Sequence, residues 1–386
     1  MAKNKTILPG QTIGILGGGQ LGRMMAISAR EMGYGIVVLD PGENSPCGQI
    51  SDHQIVAPYD DVKGIEELAQ KSDVITYEFE NVDSERAQWL ENNAYMPQGS
   101  ELLYLTQHRI REKQAIEKAG VRVAPYLPVQ SKEELQAAVS QLGLPAVLKT
   151  CQGGYDGKGQ AVIRTEGDME KAEELFAGSR ECVLESWVSF EKELSVIVTR
   201  STKGEMSTFP VAENIHLENI LHQSIVPARI SEETAANAYD MAKKIAHELN
   251  LYGTLAVEMF LGINGEIYVN ELAPRPHNSG HYSIEACETS QFQQHVRAVC
   301  GLPLGRTSLV SPVVMINVLG EHVKPLLENL ELLKDAKLHL YGKEEAKVKR
   351  KMGHITVLGN TVSEALNKAG YIKAAVLKME KLEVTT

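Results

Sequence analysis

Apolar residues in the N-terminal part of the chain alternate between two periodicities. Residues 12–16 (TIGIL), 36–39 (IVVL) and 74–77 (VITY) are short β-rich runs, whereas residues 20–32 and 62–70 carry apolar positions at helical spacing. Strand, helix, strand, helix, strand predicts an open parallel sheet, because parallel neighbours need a crossover and a helix supplies it compactly. Residues 110–119 read as a helix leading into a second unit. There Ser131 and Glu134 predict a capping box opening a helix that runs to Leu142. Residues 145–150 (PAVLKT) then read as a buried strand, 161–164 as a strand, 167–176 as a helix and 182–188 as a strand. Beyond them the pattern predicts a mostly antiparallel region: strands over 194–199 and 205–212, a helix over 232–249, then a hairpin. The C-terminal stretch reads as strands over 313–319, 337–341 and 354–358 with a closing helix over 363–368. The fold class is therefore α/β followed by α+β, divided at 1–105, 106–192, 193–310 and 311–386.

Composition narrows the function classes. With 386 residues, 43% hydrophobic and 23% charged, the chain suits two or three domains with real cores. A formal charge of -11 argues against a general nucleic-acid binder, which concentrates positive charge against phosphates. The local exception is the basic run KVKRK at 347–351. No run approaches the roughly 20 apolar residues of a membrane span. Lys3 and Lys5 are not followed by the apolar run of a signal peptide, so a cytoplasmic location is expected. Cys47, Cys151, Cys182, Cys287 and Cys300 are odd in number and widely spaced, without C-x-x-C. That spacing argues for buried thiols in a reducing compartment rather than for disulfides or a zinc site.

Gly17-Gly18-Gly19-Gln20-Leu21-Gly22 separates the first strand from the first helix, and Asp40 ends the next strand. The spacing satisfies the dinucleotide fingerprint G-x-G-x-x-G. Its physical basis is broader than its name, since N–H groups at any helix N-terminus hold phosphates. On these residues alone a dinucleotide, another phosphorylated ligand and a purely structural turn all stay open.

Residues 255–273 (LAVEMFLGINGEIYVNELA) alternate around Asn264-Gly265, a strong signal for a two-residue type I′ turn. That turn puts Ile263 opposite Glu266, Leu261 opposite Tyr268, Met259 opposite Asn270 and Glu258 opposite Glu271. Directly opposed carboxylates repel. Mg2+, which takes oxygen ligands and substrate phosphates, removes the repulsion. The polar run Arg275, His277, Asn278, Ser279 and His281 follows the strand and strengthens the case for an anionic ligand. Two glutamates on a solvated strand face is the plain alternative.

Lys149 closes the otherwise apolar PAVLKT, so its ammonium emerges from a buried strand. Behind it, Gly153-Gly154-Tyr155-Asp156-Gly157-Lys158-Gly159-Gln160 is a cationic, glycine-dense segment that reads as a mobile flap over phosphates. Walker spacing is absent. Glu185-Ser186-Trp187-Val188 ends one strand and Glu193 begins another, where main-chain groups suit an adenine edge and carboxylates the ribose hydroxyls.

Taken in order, Lys149, the glycine flap, ESWV, Glu193, His216 (in ENIHLENILH), Glu258 and Asn270-Glu271 with PRPHNSGH resemble the ATP-grasp superfamily. With GGGQLGRM, YEFENV at 77–82 and GGYDGKGQ, the chain is most similar to the 5-(carboxyamino)imidazole ribonucleotide synthase family of purine biosynthesis, over about residues 13–359. The resemblance implies an ATP-grasp fold. Its parts would be an N-terminal pre-ATP-grasp domain (1–105), a lid subdomain (106–192), a metal and nucleotide domain (193–310) and a small β-rich C-terminal segment (311–386). It also implies ATP- and bicarbonate-dependent carboxylation of the amino group of 5-aminoimidazole ribonucleotide through carboxyphosphate, with release of ADP and phosphate. No nucleic-acid or membrane partner is implied, and a homodimer is favoured.

The implied ATP contacts are Arg109 (in QHR), Lys149, Gly154, Tyr155, Asp156, Gly157, Lys158, Gly159, Gln160, Glu185, Ser186, Trp187, Val188, Glu193, His216, Asn270 and Glu271. Those implied for the ribonucleotide are Gln20, Leu21, Glu78, Asn81, His277, Asn278, Lys343, Arg350 and Lys351. Tyr155, Asp156, Lys158 and Arg275 would be catalytic, and Glu258 with Glu271 would hold a pair of Mg2+ ions. The glycine loop at 17–22 then belongs to the substrate rather than to a dinucleotide. His108 stands where the family pattern leads one to expect an acid, a departure that touches the orientation of Arg109. The rivals are a formate-using ATP-grasp transformylase acting on glycinamide ribonucleotide and a nucleotide-binding regulator without turnover.

Overall fold

The computed structural model describes residues 5–154, 158–177 and 181–376. Its first layer is a parallel sheet with the strand order His53–Val56, Gly35–Asp40, Thr12–Leu16, Val74–Tyr77. The three inner and C-terminal strands read as apolar runs because both faces of the sheet are covered. Met24, Met25, Ala26 and Ala29 of the Gln20–Glu31 helix bury one face, backed by Phe292, Val296 and Val299 from far along the chain. Ile65, Leu68 and Leu90 bury the other against Leu16, Leu39 and Tyr77. The edge strand His53–Val56 (HQIV) is too short and polar to stand out as a periodicity.

A second, antiparallel sheet runs Tyr126–Val129, Cys182–Ser186, Ala146–Thr150, Gln160–Ile163. Ser131 caps the Lys132–Leu142 helix, accepting from Glu134 N at 3.2 Å. The Glu134 carboxylate takes Gln130 N at 2.8 Å rather than Ser131 N, so the predicted capping box is only half made. The helix predicted over 167–176 is a 3-10 turn, Glu166–Asp168, a short α-helix, Met169–Glu173, and a second 3-10 turn, Glu174–Ala177.

The third sheet has nine strands. Across it run Ile267–Ala273, Gly253–Gly262, Phe190–Arg200, Ala212–Leu217, Ile220–Val226, Val313–Leu319, Lys351–Leu358 and Ala336–Leu340, with Met206–Thr208 added to Phe190–Arg200. The C-terminal strands thus continue this sheet. The Val362–Val376 helix lays Ala365, Ala369, Ile372 and Val376 on Ile316, Val318, Ile355 and Val357. The strand predicted over 205–212 is interrupted by Phe209 and Pro210, the latter without an N–H for the ladder.

The predicted hairpin turn is wrong and the predicted glutamate pairing is right. Gly262 N donates to Glu266 O at 2.8 Å, so the loop is three residues, Ile263-Asn264-Gly265, with only Gly265 left-handed (φ 79). A type I′ turn needs positive φ at both central residues; here that geometry belongs to Glu218 and Asn219 (φ 50 and 64), between Leu217 and Ile220. The longer loop shifts the register by one: Met259 faces Val269, Phe260 faces Tyr268 and Leu261 faces Ile267. A bulge at Asn270 restores it, so Glu258 faces Glu271 after all. In a regular strand Asn270 and Glu271 would point to opposite faces; with the bulge both line the same cavity.

Candidate active site

A cavity of about 570 Å3 lies between the nine-stranded sheet and the smaller antiparallel sheet. Arg109, Lys149, Gly154, Lys158, Gln160, Glu185, Ser186, Trp187, Val188, Glu193, His216, Glu258, Asn270 and Glu271 all line it, with Asn81, Arg275, His277, Asn278 and Lys351. Gly159 adjoins the wall, its carbonyl accepting from Thr150 N at 2.8 Å. Gln20, Leu21, Glu78, Lys343 and Arg350 do not line this cavity. Tyr155, Asp156 and Gly157 lie outside the described residues.

The strand end at Lys149 enters a buried charge cluster. Lys149 Nζ sits 2.9 Å from Glu185, whose other oxygen is 3.2 Å from Lys113 Nζ. Burial opposes ionisation of Glu185, but Lys149, Lys113 and Arg109 outweigh it and hold the carboxyl down at about 2. Burial, with Lys113 and Arg109 nearby, also lowers Lys149 despite its Glu185 partner. Lys149, Lys113 and Arg109 together gather more positive than negative charge around Glu185, a balance that phosphates would restore.

On the opposite wall Glu258 and Glu271 stand in register. Burial, then the facing Glu271, pushes the Glu258 carboxyl above the usual range. His277 Nδ1 is 3.4 Å from Glu258, and Arg109 is 3.6 Å from Glu271. A half-buried carboxylate destabilised by a carboxylate neighbour, with an amide oxygen brought alongside by a bulge, is a donor set that fits a hard cation. Beside it, burial works against charge on His216, yet Glu193 at 2.8 Å, with Glu258 adding, holds the imidazole above its ordinary value.

At the glycine loop most amides already have acceptors within the protein. Gly17 is left-handed (φ 103), and a Cβ there would strike the Glu78 and Phe79 side chains within 3 Å. The loop's amides do not wait for a phosphate: Gly18 N donates to Asp40 at 2.7 Å, and Gly19 N and Gly22 N donate to Glu78 at 2.6 and 2.9 Å. Glu78 is thus the anion at this helix N-terminus, and burial raises its pKa. Of the helix's first turn, the amides of Gln20 and Leu21 have no acceptor among the described residues. Lys343 belongs to the same corner. Its amine donates to Lys351 O at 2.8 Å, and neighbouring Gly342 O accepts from Gln49 at 2.8 Å. The basic run is divided: Lys347 pairs with Glu345 and Lys349 with Glu218 on the surface, Arg350 is exposed, and Lys351 reaches the cavity.

Arg275 grips Glu80 with Nε at 2.6 Å and Nη2 at 2.9 Å, and Nη1 donates to Pro276 O at 3.3 Å. Of a guanidinium's five N–H groups, two remain for a ligand. Against its own burial, Arg275 holds Glu80 below the usual carboxylate range. Glu80 lies in the YEFENV run, within the stretch from Glu78 to Asn81 expected near the ribonucleotide, but nothing in the sequence marked it as the partner of Arg275. We expect Glu80→Gln to leave Arg275 misaligned and to lower kcat/KM by about a hundredfold. Unaltered kcat/KM would show that Glu80 does not position Arg275.

Glu112 and Lys113 were missed altogether. Glu112 is buried, accepts Leu272 N at 2.7 Å, and is pushed up to about 8 by burial and Glu271. With Arg109 these residues occupy positions i, i+3 and i+4 of the Arg109–Lys118 helix, one face. Three charges on the face that should be apolar was the available signal.

Comparison with known proteins follows the same outline. Residues 10–107 match the ribonucleotide synthetase preATP-grasp domain, residues 114–292 the ATP-grasp domain, and residues 313–368 the phosphoribosylaminoimidazole carboxylase C-terminal domain. The N5-carboxyaminoimidazole ribonucleotide synthase of Bacillus subtilis is 61% identical over 352 residues, covering 91% of this chain and 92% of its own. That of Staphylococcus aureus is 46% identical over 92% of this chain and 94% of its own. A solved N5-carboxyaminoimidazole ribonucleotide synthetase in complex with ADP superposes with a TM-score of 0.94 at 61% identity, over 95% of this chain and 97% of that one. The Aspergillus clavatus enzyme, solved with ADP and 5-aminoimidazole ribonucleotide, gives 0.90 at 31% identity, over 98% and 100%. The fold is therefore the ATP-grasp fold with a pre-ATP-grasp domain in front of it, and the chain belongs to the N5-carboxyaminoimidazole ribonucleotide synthase family.

Proposed function

We propose that the chain is an ATP-dependent ligase that carboxylates the amino group of 5-aminoimidazole ribonucleotide with bicarbonate. The products are 5-carboxyaminoimidazole ribonucleotide, ADP and phosphate, a step of purine biosynthesis. The observation that carries this reading is a single cavity in which the opposed Glu258–Glu271 pair faces the buried Lys149–Glu185–Lys113 cluster, with Arg275, His277 and Asn278 beside them.

Bicarbonate is a poor electrophile. Transfer of the γ-phosphoryl group to one of its oxygens, with ADP leaving, makes carboxyphosphate, a mixed anhydride. The ribonucleotide amine attacks the carboxyl carbon, or carbon dioxide released from it; phosphate leaves and the amine gives up a proton. Phosphoryl transfer of this kind is mostly positioning and charge dispersal. Lys149 and Lys158 bring ammonium groups to the phosphates, and Arg275 offers its two unspent N–H groups to bicarbonate. Ser186 N and Trp187 N already donate to Pro125 O and Pro145 O, which makes Val188 N the amide for the adenine edge. Val147, Leu221 and Phe260 supply apolar walls for the ring. Glu193, held by His216, takes ribose hydroxyls. Glu258 and Glu271, with Asn270, would hold Mg2+, a pair of ions in this reading, which when bound neutralises phosphate charge. Tyr155 and Asp156 orient the amine or relay its proton. The ribonucleotide spans Asn81, His277, Asn278 and Lys351 in the cavity and reaches Gln20, Leu21, Lys343 and Arg350 with its phosphate. Exclusion of water protects the anhydride.

The same reading keeps the divisions at 1–105, 106–192, 193–310 and 311–386, a cytoplasmic location and a homodimer. Among the described residues no helix is long and apolar enough to cross a membrane, and all five cysteines are free and buried. A co-substrate panel tests the function. ADP release is expected only with 5-aminoimidazole ribonucleotide and bicarbonate together. Release with glycinamide ribonucleotide and formate instead would establish the transformylase, and tight ATP binding without turnover on any pair would establish the regulator.

A further inference from the structure

Three donors of different chemistry converge beside the nucleotide cavity. His108 precedes the Arg109–Lys118 helix, Cys151 follows the Ala146–Thr150 strand and Glu181 precedes the Cys182–Ser186 strand. Main-chain hydrogen bonds tie the segments together: Arg109 N donates to Cys151 O at 3.0 Å, and Cys151 N donates to Glu181 O at 3.1 Å. A ring nitrogen of His108, the Cys151 Sγ and a Glu181 carboxylate oxygen all lie within 4.8 Å of one another. His108 Nε2 is 3.0 Å from Glu181 Oε2. His108 is only 8% exposed, and its Nδ1 is buried with no hydrogen-bond partner among the described residues.

We propose that His108, Cys151 and Glu181 form a binding site for a transition-metal ion of the zinc class, and that an ion there slows turnover by fixing the wall of the nucleotide cavity. The donor set is one nitrogen, one sulfur and one oxygen, which selects zinc over magnesium, whose preference is for oxygen alone. Zinc bonds of about 2.0–2.3 Å put tetrahedral ligands roughly 3.3–3.8 Å apart, a spacing that these side chains reach by moving about an ångström. Three protein ligands leave a fourth position for water, and Glu181, its side chain 41% exposed, opens the site to solvent. Cys151 and Arg109 both line the nucleotide cavity, so an ion on Cys151 stiffens the wall from which Arg109 reaches Glu271. Glu285, His339 and His354 also lie within 4.8 Å of one another. There, however, the two imidazoles stack at 4.5 Å and 11°, so their in-plane lone pairs run side by side instead of converging.

The inhibitory half of the proposal rests on the ATP-dependent reading above; binding does not. Co2+, a spectroscopic stand-in for Zn2+, is titrated into the full-length protein without nucleotide. A thiolate-to-cobalt charge-transfer band is expected, displaced by Zn2+ and lost in Cys151→Ser, with affinity roughly 10–100-fold weaker in His108→Asn and Glu181→Gln. No band, or a band that survives Cys151→Ser, overturns the site. In turnover at saturating Mg2+ and ATP, Zn2+ is expected to inhibit the wild type reversibly and to leave His108→Asn at its own metal-free rate. Equal inhibition of both proteins overturns the inhibitory role and points to zinc displacing magnesium at Glu258 and Glu271. A band in a protein without turnover on any co-substrate pair supports the site and counts against the proposed function.

Discussion

Glu258→Gln and Glu271→Gln are each expected to abolish ADP formation, a loss of at least about a hundredfold, or ~2.7 kcal/mol of transition-state stabilisation. The reason is geometric. The two carboxylates face each other across one ladder position, and the bulge at Asn270 turns a third oxygen donor to the same side. Burial and the facing Glu271 raise the Glu258 pKa. A carboxyl raised in the folded state loses stability as pH climbs from the ordinary carboxylate range, about 4.3, through its folded value. At neutral pH the metal-free Glu258→Gln protein should therefore melt no lower than the wild type. Its melting temperature should not rise with Mg2+ and nucleotide as the wild type's does. Either variant retaining more than about a tenth of wild-type turnover at saturating Mg2+, a deficit under roughly 1.4 kcal/mol, would remove the pair from the metal site.

Lys343→Ala with Arg350→Ala is expected to raise the KM for 5-aminoimidazole ribonucleotide by about ten- to a thousandfold, at roughly 1.5–3 kcal/mol per charged hydrogen bond, Arg350 contributing less because it is exposed. The KM for ATP should barely move, since binding of one substrate alone is removed. Neither side chain lines the cavity itself, so the pair tests the phosphate end. A pH signature follows. Burial, with Arg350 and Lys351 adding and Glu78 opposing, pushes Lys343 down to about 8. The ammonium is the form that attracts phosphate, so kcat/KM for the ribonucleotide should fall as pH rises through about 8, and the fall should vanish in Lys343→Ala. Equal weakening of both substrates would place these residues at the nucleotide, and no kinetic change would leave them a solvated patch.

What could be read directly from the chain were features with local causes. The runs at 12–16, 74–77 and 313–319 match the strands Thr12–Leu16, Val74–Tyr77 and Val313–Leu319 residue for residue. A strand buried on both faces has to be uniformly apolar, whatever packs on it. The order of motifs from Lys149 to Glu271 likewise marked out both walls of the cavity. Register was only accidentally right: a one-residue error at the Asn264 turn is cancelled by the bulge at Asn270, because the choice between loop types is made by packing of the whole strand pair.

Tertiary structure alone decided which partners meet. Glu80 and Arg275, 195 positions apart, form the half-buried pair that aims a guanidinium, and Lys113 joins Glu185 from a helix with no motif of its own. Tertiary structure also gave the amides of Gly18, Gly19 and Gly22 to Asp40 and Glu78. Cys151, excluded from metal chemistry by its spacing, lies beside His108 and Glu181 because two main-chain hydrogen bonds bring three distant segments together. Propensity and periodicity report on neighbours in sequence. Ion pairs, ligand sets and orphaned donors depend on distances that exist only once the sheets have packed.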